Sequence, residues 1–189
     1  MQEFTTISEV IAAARNNLRK DVWDYAAGGA GTETTLRRNR AAVERYAFKP
    51  RVLRDVSQRS LKTQLLGHTL DLPMLLAPVG SIAQYHSDGP LNVARVAGRM
   101  GAAGFMGGLN TPSLEEVMAQ ATGPMFYQVY VRGDRAWLES LVRRVEAAGY
   151  HALCLTVDSP LSAFRDRDRQ NRHTRTVAPD NPNLMGATG

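Results

Sequence analysis

Four short apolar runs constrain this chain more than any other feature. They are Met74–Val79, Ala102–Met106, Met125–Val131 and Ala152–Asp158, with centres roughly 23 to 29 residues apart. Helical stretches fill the gaps. Leu91–Met100 is rich in Ala and Val and stops at Gly101. Ser113–Ala121 follows Thr111-Pro112, a cap and first-turn pair. Asp134–Ala148 sets Trp137, Leu138, Leu141, Val142 and Val145 on one face and ends at Gly149. Strand, helix, strand at this period predicts parallel βα units, and runs apolar throughout predict a sheet covered on both faces. Two architectures fit: an open doubly wound sheet and a (β/α)8 TIM barrel. No Gly-x-Gly-x-x-Gly follows the first run, which ends instead in Pro78-Val79-Gly80. The dinucleotide fingerprint is absent, which favours the barrel. A whole barrel takes about 250 residues, so 189 residues hold only its first four units.

Upstream the texture differs. Thr6-Ile-Ser-Glu9 reads as a capping box, and Val10, Ile11, Ala14 and Leu18 form one apolar stripe. A second helix is expected over Val22–Ala27, stopped by Gly28 and Gly29. A third runs from about Glu33 to Arg45 with Leu36, Val43 and Tyr46 inward. Leu61–Leu72 reads as a hairpin turning at Gly67-His68. The expected organisation is a helical segment over 1–60, a hairpin over 61–73, the half-barrel over 74–176 and a mobile loop over 177–189. The Pro/Gly/Asn-rich stretch Ala178–Gly189 suggests that loop.

Composition excludes several classes. An apolar fraction of 43% with 22% charged residues is ordinary for globular proteins, not for disordered or fibrous ones. The net charge of +5 is largely local, because Arg165–Arg175 holds five Arg and two Asp. With no aromatic platform or binding motif beside it, a nucleic-acid surface is not expected. A single cysteine, Cys154, fits a reducing, cytoplasmic setting. The first residues do not read as a signal peptide, no run is long enough for membrane insertion, and the four histidines show no metal-ligand spacing.

In either architecture ligands bind beyond the carboxyl ends of the strands. The residues there are Pro78, Val79 and Gly80, then Gly107-Gly108, then Gln128 and Tyr130 on one face, then Thr156 and Asp158 on one face. Arg165 follows. Singly, each has a plain reading: a satisfied interior polar group, a loop cap, core packing, a solvated arginine loop. Together they make a polar, aromatic and cationic rim suited to an anionic substrate beside a planar cofactor.

These residues also carry a resemblance. Asp24-Tyr25-Ala-Ala-Gly28, Phe48-Lys-Pro-Arg51, Ala77-Pro78, Gln128-Val-Tyr130, Thr156-Val-Asp158-Ser-Pro160 and Arg165 with Asn171-Arg172 match, in order and spacing, the FMN-dependent 2-hydroxy acid oxidases and dehydrogenases, the glycolate oxidase, lactate oxidase and mandelate dehydrogenase family. The similarity covers essentially the whole chain. It implies that Tyr25 and Tyr130 hydrogen-bond the substrate carboxylate and hydroxyl. Pro78, Val79 and Gly80 then lie against the flavin through their backbone, while Gln128 and Thr156 hydrogen-bond the isoalloxazine. Asp158 orients a catalytic histidine, and Arg165 holds developing charge or gates the active-site loop. Gly107 stands where the family has a flavin-contacting serine, Leu109 where some members have an aromatic lining the substrate pocket, and Gly80 where alanine is commoner.

The implied activity is oxidation of a small (S)-2-hydroxy acid to the 2-oxo acid with FMN. The histidine base, a carboxylate-clamping arginine and the phosphate-binding glycines come from the family's strands five to eight. The expected partners are therefore the C-terminal half of the barrel, part of the same protein either in one chain or as a separate chain after cleavage in the 177–189 loop, and further copies in a homo-oligomer. Two other readings stay open: a non-catalytic half-barrel component, and another phosphate-binding barrel enzyme such as an isomerase or aldolase.

Overall fold

The computed structural model describes residues 3–158, 161, 163–173 and 180–187. They fall into two compact units. One comprises residues 1–55 and 161–175, the other residues 56–160 and 176–189.

The first unit is helical. α1 (Ile7–Asn17) opens on the expected capping box, in which the Glu9 N–H donates to Thr6 Oγ1 at 3.2 Å and the Thr6 N–H to Glu9 Oε2 at 3.1 Å. α2 (Lys20–Ala27) buries Val22 and ends at Gly28. α3 (Thr34–Glu44) departs from expectation. Leu36 is half-buried, but Val43 and Tyr46 are 73% and 87% exposed, since no described residue of the unit covers that side. Residues 161–175, expected with the barrel half, belong to this unit instead. Their short α7 (Asp166–Gln170) is tied to α2 and its following loop: Asn171 Nδ2 donates to Asp24 Oδ2 at 2.7 Å, and the Gly31 N–H donates to the Phe164 carbonyl at 2.9 Å.

The second unit is α/β. A hairpin joins β1 (Thr63–Leu65) to β2 (His68–Leu70). Its turn is Leu66-Gly67, one residue earlier than expected. Both residues have positive φ, 49° and 83°, as a two-residue turn matched to strand twist requires. Then come β3 (Leu75–Leu76), α4 (Gly89–Arg99), β4 (Ala103–Gly107), α5 (Leu114–Met118), β5 (Met125–Val129), α6 (Arg135–Ala148) and β6 (Ala152–Leu155). The four strands form one parallel sheet in chain order, β3-β4-β5-β6. The expected βα repeat is therefore present, with shorter strands than the apolar runs suggested. α5 is capped by Ser113 with Glu116, and not by the Thr111-Pro112 pair before it, because the Ser113 hydroxyl is the group that reaches the Glu116 N–H. α6 is capped by Asp134, whose carboxylate accepts from the Trp137 N–H at 2.8 Å, and stops at Gly149 with φ +90°.

Alternation along the parallel strands divides the side chains between two apolar clusters. Met106, Met125, Tyr127 and Val129 pack with Ala94, Leu114, Val117, Trp137, Leu141 and Val145 from the helices. Ala103 and Phe126 belong to the other cluster, closed by Leu70 of the hairpin. Burial holds the Tyr127 and Tyr150 phenols well above their ordinary range, so both stay neutral. Part of the expected mobile loop is packed: Asn181 and Asn183 are buried, and Leu184 lies against the first cluster. Residues 177–179, 188 and 189 of that expected loop lie outside the described residues.

Candidate cofactor and substrate site

The sheet delivers its polar side chains to the carboxyl ends of the strands, and each arrives by register. Gln128 is the fourth residue of β5 and 5% exposed. Its Nε2 donates to Thr156 Oγ1 at 2.6 Å, just past the end of β6. Gly107 pairs with Gln128 in the β4–β5 ladder. A Cβ on Gly107 would stand 3.1 Å from Asn110 Nδ2, 3.3 Å from the Val79 carbonyl and 3.5 Å from Gln128 Oε1. The structure thus gathers Val79, Gly107, Gln128 and Thr156 around one small space. Pro78 and Val79 are exposed beside it and Gly80 is half-buried.

Tyr130 follows β5 and is half-buried, with the Arg132 guanidinium 5.8 Å from its ring centroid. Asp158 is exposed, two residues past Thr156. Leu109 is buried beside Tyr127, Tyr130 and Trp137, in an apolar crevice bordered by Asn183 and Leu184. A bridging side chain that the sequence reading missed is Asn110. Its side chain bridges the end of β4 and the loop after β3. The one available signal was an asparagine placed directly after a strand-ending Gly-Gly-Leu.

Tyr25 and Arg165 lie in the first unit and meet there. Arg165 Nη2 donates to the Tyr25 carbonyl at 2.5 Å and to the Gly28 carbonyl at 2.9 Å, and its guanidinium sits 4.7 Å from the Tyr25 ring centroid. The other side of the network is His173, stacked on Tyr25 at 5.0 Å, with Nδ1 3.0 Å from Asp21 Oδ2. The His173 contact, with help from Arg19, lowers the Asp21 carboxyl to about 2. Lys20 and Asn171 hold the Asp24 carboxyl below its usual range. Arg167 pairs with Glu33 at 2.7 Å and reaches Asp24 at 3.7 Å. Those acids, more than a hundred residues upstream, gave no sign in the local charge run. Arg169 stacks on Phe164 at 3.9 Å.

Among the described residues no group of three or more His, Cys, Asp or Glu is placed to hold a metal, and no helix is long and apolar enough to cross a membrane. The second unit's rim offers an amide, a hydroxyl and a phenol beside exposed main chain. That set can hydrogen-bond the edge of a flat heterocycle and an oxygen-bearing substrate.

Comparison with known proteins covers nearly the whole chain. Residues 14–188 match the family described as FMN-dependent dehydrogenase. Glycolate oxidase 5 of Oryza sativa subsp. japonica is 41% identical over 172 residues, covering 91% of this chain and 47% of that protein. L-lactate oxidase of Nostoc sp. is 43% identical over 162 residues, covering 84% and 44%. Among solved structures, a soluble mutant of the membrane-associated (S)-mandelate dehydrogenase from Pseudomonas putida superposes with a TM-score of 0.89 at 30% identity, over 99% of this chain and 53% of that one. Mandelate oxidase with benzoyl-formic acid gives 0.86 at 36%, over 92% and 52%. The chain spans about half the length of the relatives it matches.

Proposed function

The chain belongs to the FMN-dependent dehydrogenase family, and from that premise we propose that the protein oxidises a small (S)-2-hydroxy acid to the 2-oxo acid, using FMN held at the carboxyl ends of the parallel strands. In this reading β3 to β6 are the first half of a (β/α)8 barrel, a reading supported by the sheet order and by half-length superposition on relatives of that fold.

The observation that carries the proposal is the joined pair Gln128–Thr156 beside the exposed Pro78 and Val79. A flat ring needs room against its face and hydrogen-bonding groups along its edge. The exposed Pro78 and Val79 leave the room. The Gln128 amide has an acceptor oxygen besides the donor it spends on Thr156. The residues present therefore fit the isoalloxazine.

When bound, FMN supplies the acceptor for the hydride equivalent that leaves C2 of the substrate. The chain's own residues do the rest. The Tyr130 phenol donates to a substrate oxygen and fixes its orientation. Asp158 orients the histidine base that the family brings from elsewhere, which takes the hydroxyl proton. Tyr25, held by Arg165 within the helical unit, is the residue that the family resemblance assigns to the carboxylate. The substrate thus loses a hydride equivalent and a proton, which leaves the carbonyl.

Heat extraction of the native cofactor, followed by chromatography, tests this reading. FMN is the expected product. A nicotinamide dinucleotide without flavin overturns it.

A further inference from the structure

We propose, resting on the flavin reading above, that Asn110 is the positioning residue for the flavin-facing main chain at Val79, and that position 107 is glycine to make room for it. The loop after β3 needs such a support. β3 contributes only two residues to the sheet, Leu75 and Leu76, so the segment carrying Pro78, Val79 and Gly80 leaves the ladder early. It then reverses at Ser81, a non-glycine residue with φ +53° that is buried nonetheless. A loop of this kind holds its shape only if something fixes its polar groups.

Asn110 does that from the neighbouring strand. It is 3% exposed. Its Nδ2 donates to the Val79 carbonyl at 2.7 Å and to the Gly107 carbonyl at 3.0 Å, while its Oδ1 accepts from the Ile82 N–H at 2.7 Å. With carbonyls on one end and an N–H on the other, only one amide orientation satisfies all three partners. The bonds bracket the turn, one just before Gly80 and one just after Ser81. Behind it, Asn183 Nδ2 donates to the Asn110 and Pro112 carbonyls at 2.7 and 3.1 Å, and Asn183 Oδ1 accepts from the Leu114 N–H at 2.7 Å. The main chain that carries Asn110 is itself fixed from the far side.

Position 107 completes the argument. A side chain there would begin 3.1 Å from Asn110 Nδ2 and 3.3 Å from the Val79 carbonyl, tighter than ordinary contact. A serine at 107 and an asparagine at 110 reaching Val79 compete for one space. This chain has taken the second solution. It has an amide at 110 that acts on the loop through its main chain.

The test uses the FMN-loaded protein and its apoprotein, with Asn110→Ala, Gly107→Ser and the double variant. The readouts are FMN dissociation constants from flavin-fluorescence quenching, and the flavin absorption envelope. Asn110→Ala loses two loop bonds and is expected to weaken FMN binding about tenfold or more. Gly107→Ser pushes the amide off Val79 and is also expected to weaken it. The double variant is expected to bind FMN more tightly than the two single effects multiplied together, because the second change removes the group the first collides with. Should Asn110→Ala not fold, Gly107→Ser, with its altered flavin envelope, carries the test. Parental FMN affinity in Asn110→Ala, or single effects that simply multiply, overturns the inference while the flavin reading stands. A parent protein that binds no FMN overturns both.

Discussion

At the scale of single residues, the proposed function separates groups expected to touch ligand from groups that hold them in place. Tyr130 is half-buried at the end of β5, and its hydroxyl is the part that distinguishes it from phenylalanine. Tyr130→Phe is expected to keep FMN and to lower kcat/KM roughly ten- to a hundredfold, the value of one hydrogen bond to a charged or charging oxygen. Unchanged kcat/KM in steady-state assays would make the residue packing only. The arginines divide differently. Arg165→Ala is expected to cut turnover, because it removes the group seated on Tyr25. Arg167→Ala is expected to lower the melting temperature with much less effect on turnover, because its partners are Glu33 and Asp24. Parallel assays of rate and Tm on the two variants check this division. The Gln128–Thr156 pair was legible in sequence, since both residues stand at the carboxyl ends of successive apolar runs. Asn110 was not legible, because its partners Val79 and Ile82 are about thirty residues away and nothing local points to them.

At the scale of elements, helix joins and strand contacts hold the margins. Gly98 in α4 lies against the 122–123 loop, where an added Cβ would stand 2.3 Å from the Thr122 carbonyl carbon and 2.4 Å from the Gly123 nitrogen. Both atoms are main chain and cannot swing aside. Gly98→Ala is therefore expected to destabilise by about 1–3 kcal/mol or more, read as a lower urea midpoint. α2 is tied to the residues after α7 by Asp21 and His173. The Asp21 carboxyl is lowered in the folded chain to about 2, so its contribution is present above the ordinary carboxylate pKa near 4 and is lost as pH falls toward 2. Acid titration followed by near-UV circular dichroism should show a step in that window, absent in Asp21→Asn. The helices themselves were predictable where caps and apolar faces agreed, as in α1 and α6. The inward face expected for α3 failed because periodicity names a face and says nothing about whether a neighbour covers it.

At the scale of the whole molecule, the βα repeat announced a parallel sheet, and the same repeat shows what the sheet lacks within these residues. β3 and β6 pair on one side only among the described residues, and Leu153 and Leu155 of β6 are exposed. Such edges and faces associate. Residues 1–189 expressed alone are expected to aggregate and, given FMN and lactate or glycolate, to show no turnover. Size-exclusion chromatography and an absorbance assay decide it, and turnover from a monomer refutes it. The placement of residues 161–175 with the N-terminal helices could not be read from sequence, because the bonds that hold them there join positions about 140 apart. One strand stands apart from these margins. β5 is buried at all five residues, has a parallel neighbour on each side, and sends Phe126 to one apolar cluster and Met125, Tyr127 and Val129 to the other. Its amide protons have no local opening through which to reach solvent. In deuterated buffer they should be the last to exchange, at the rate of global unfolding, so that a clock placed on this strand reads the stability of the whole α/β unit.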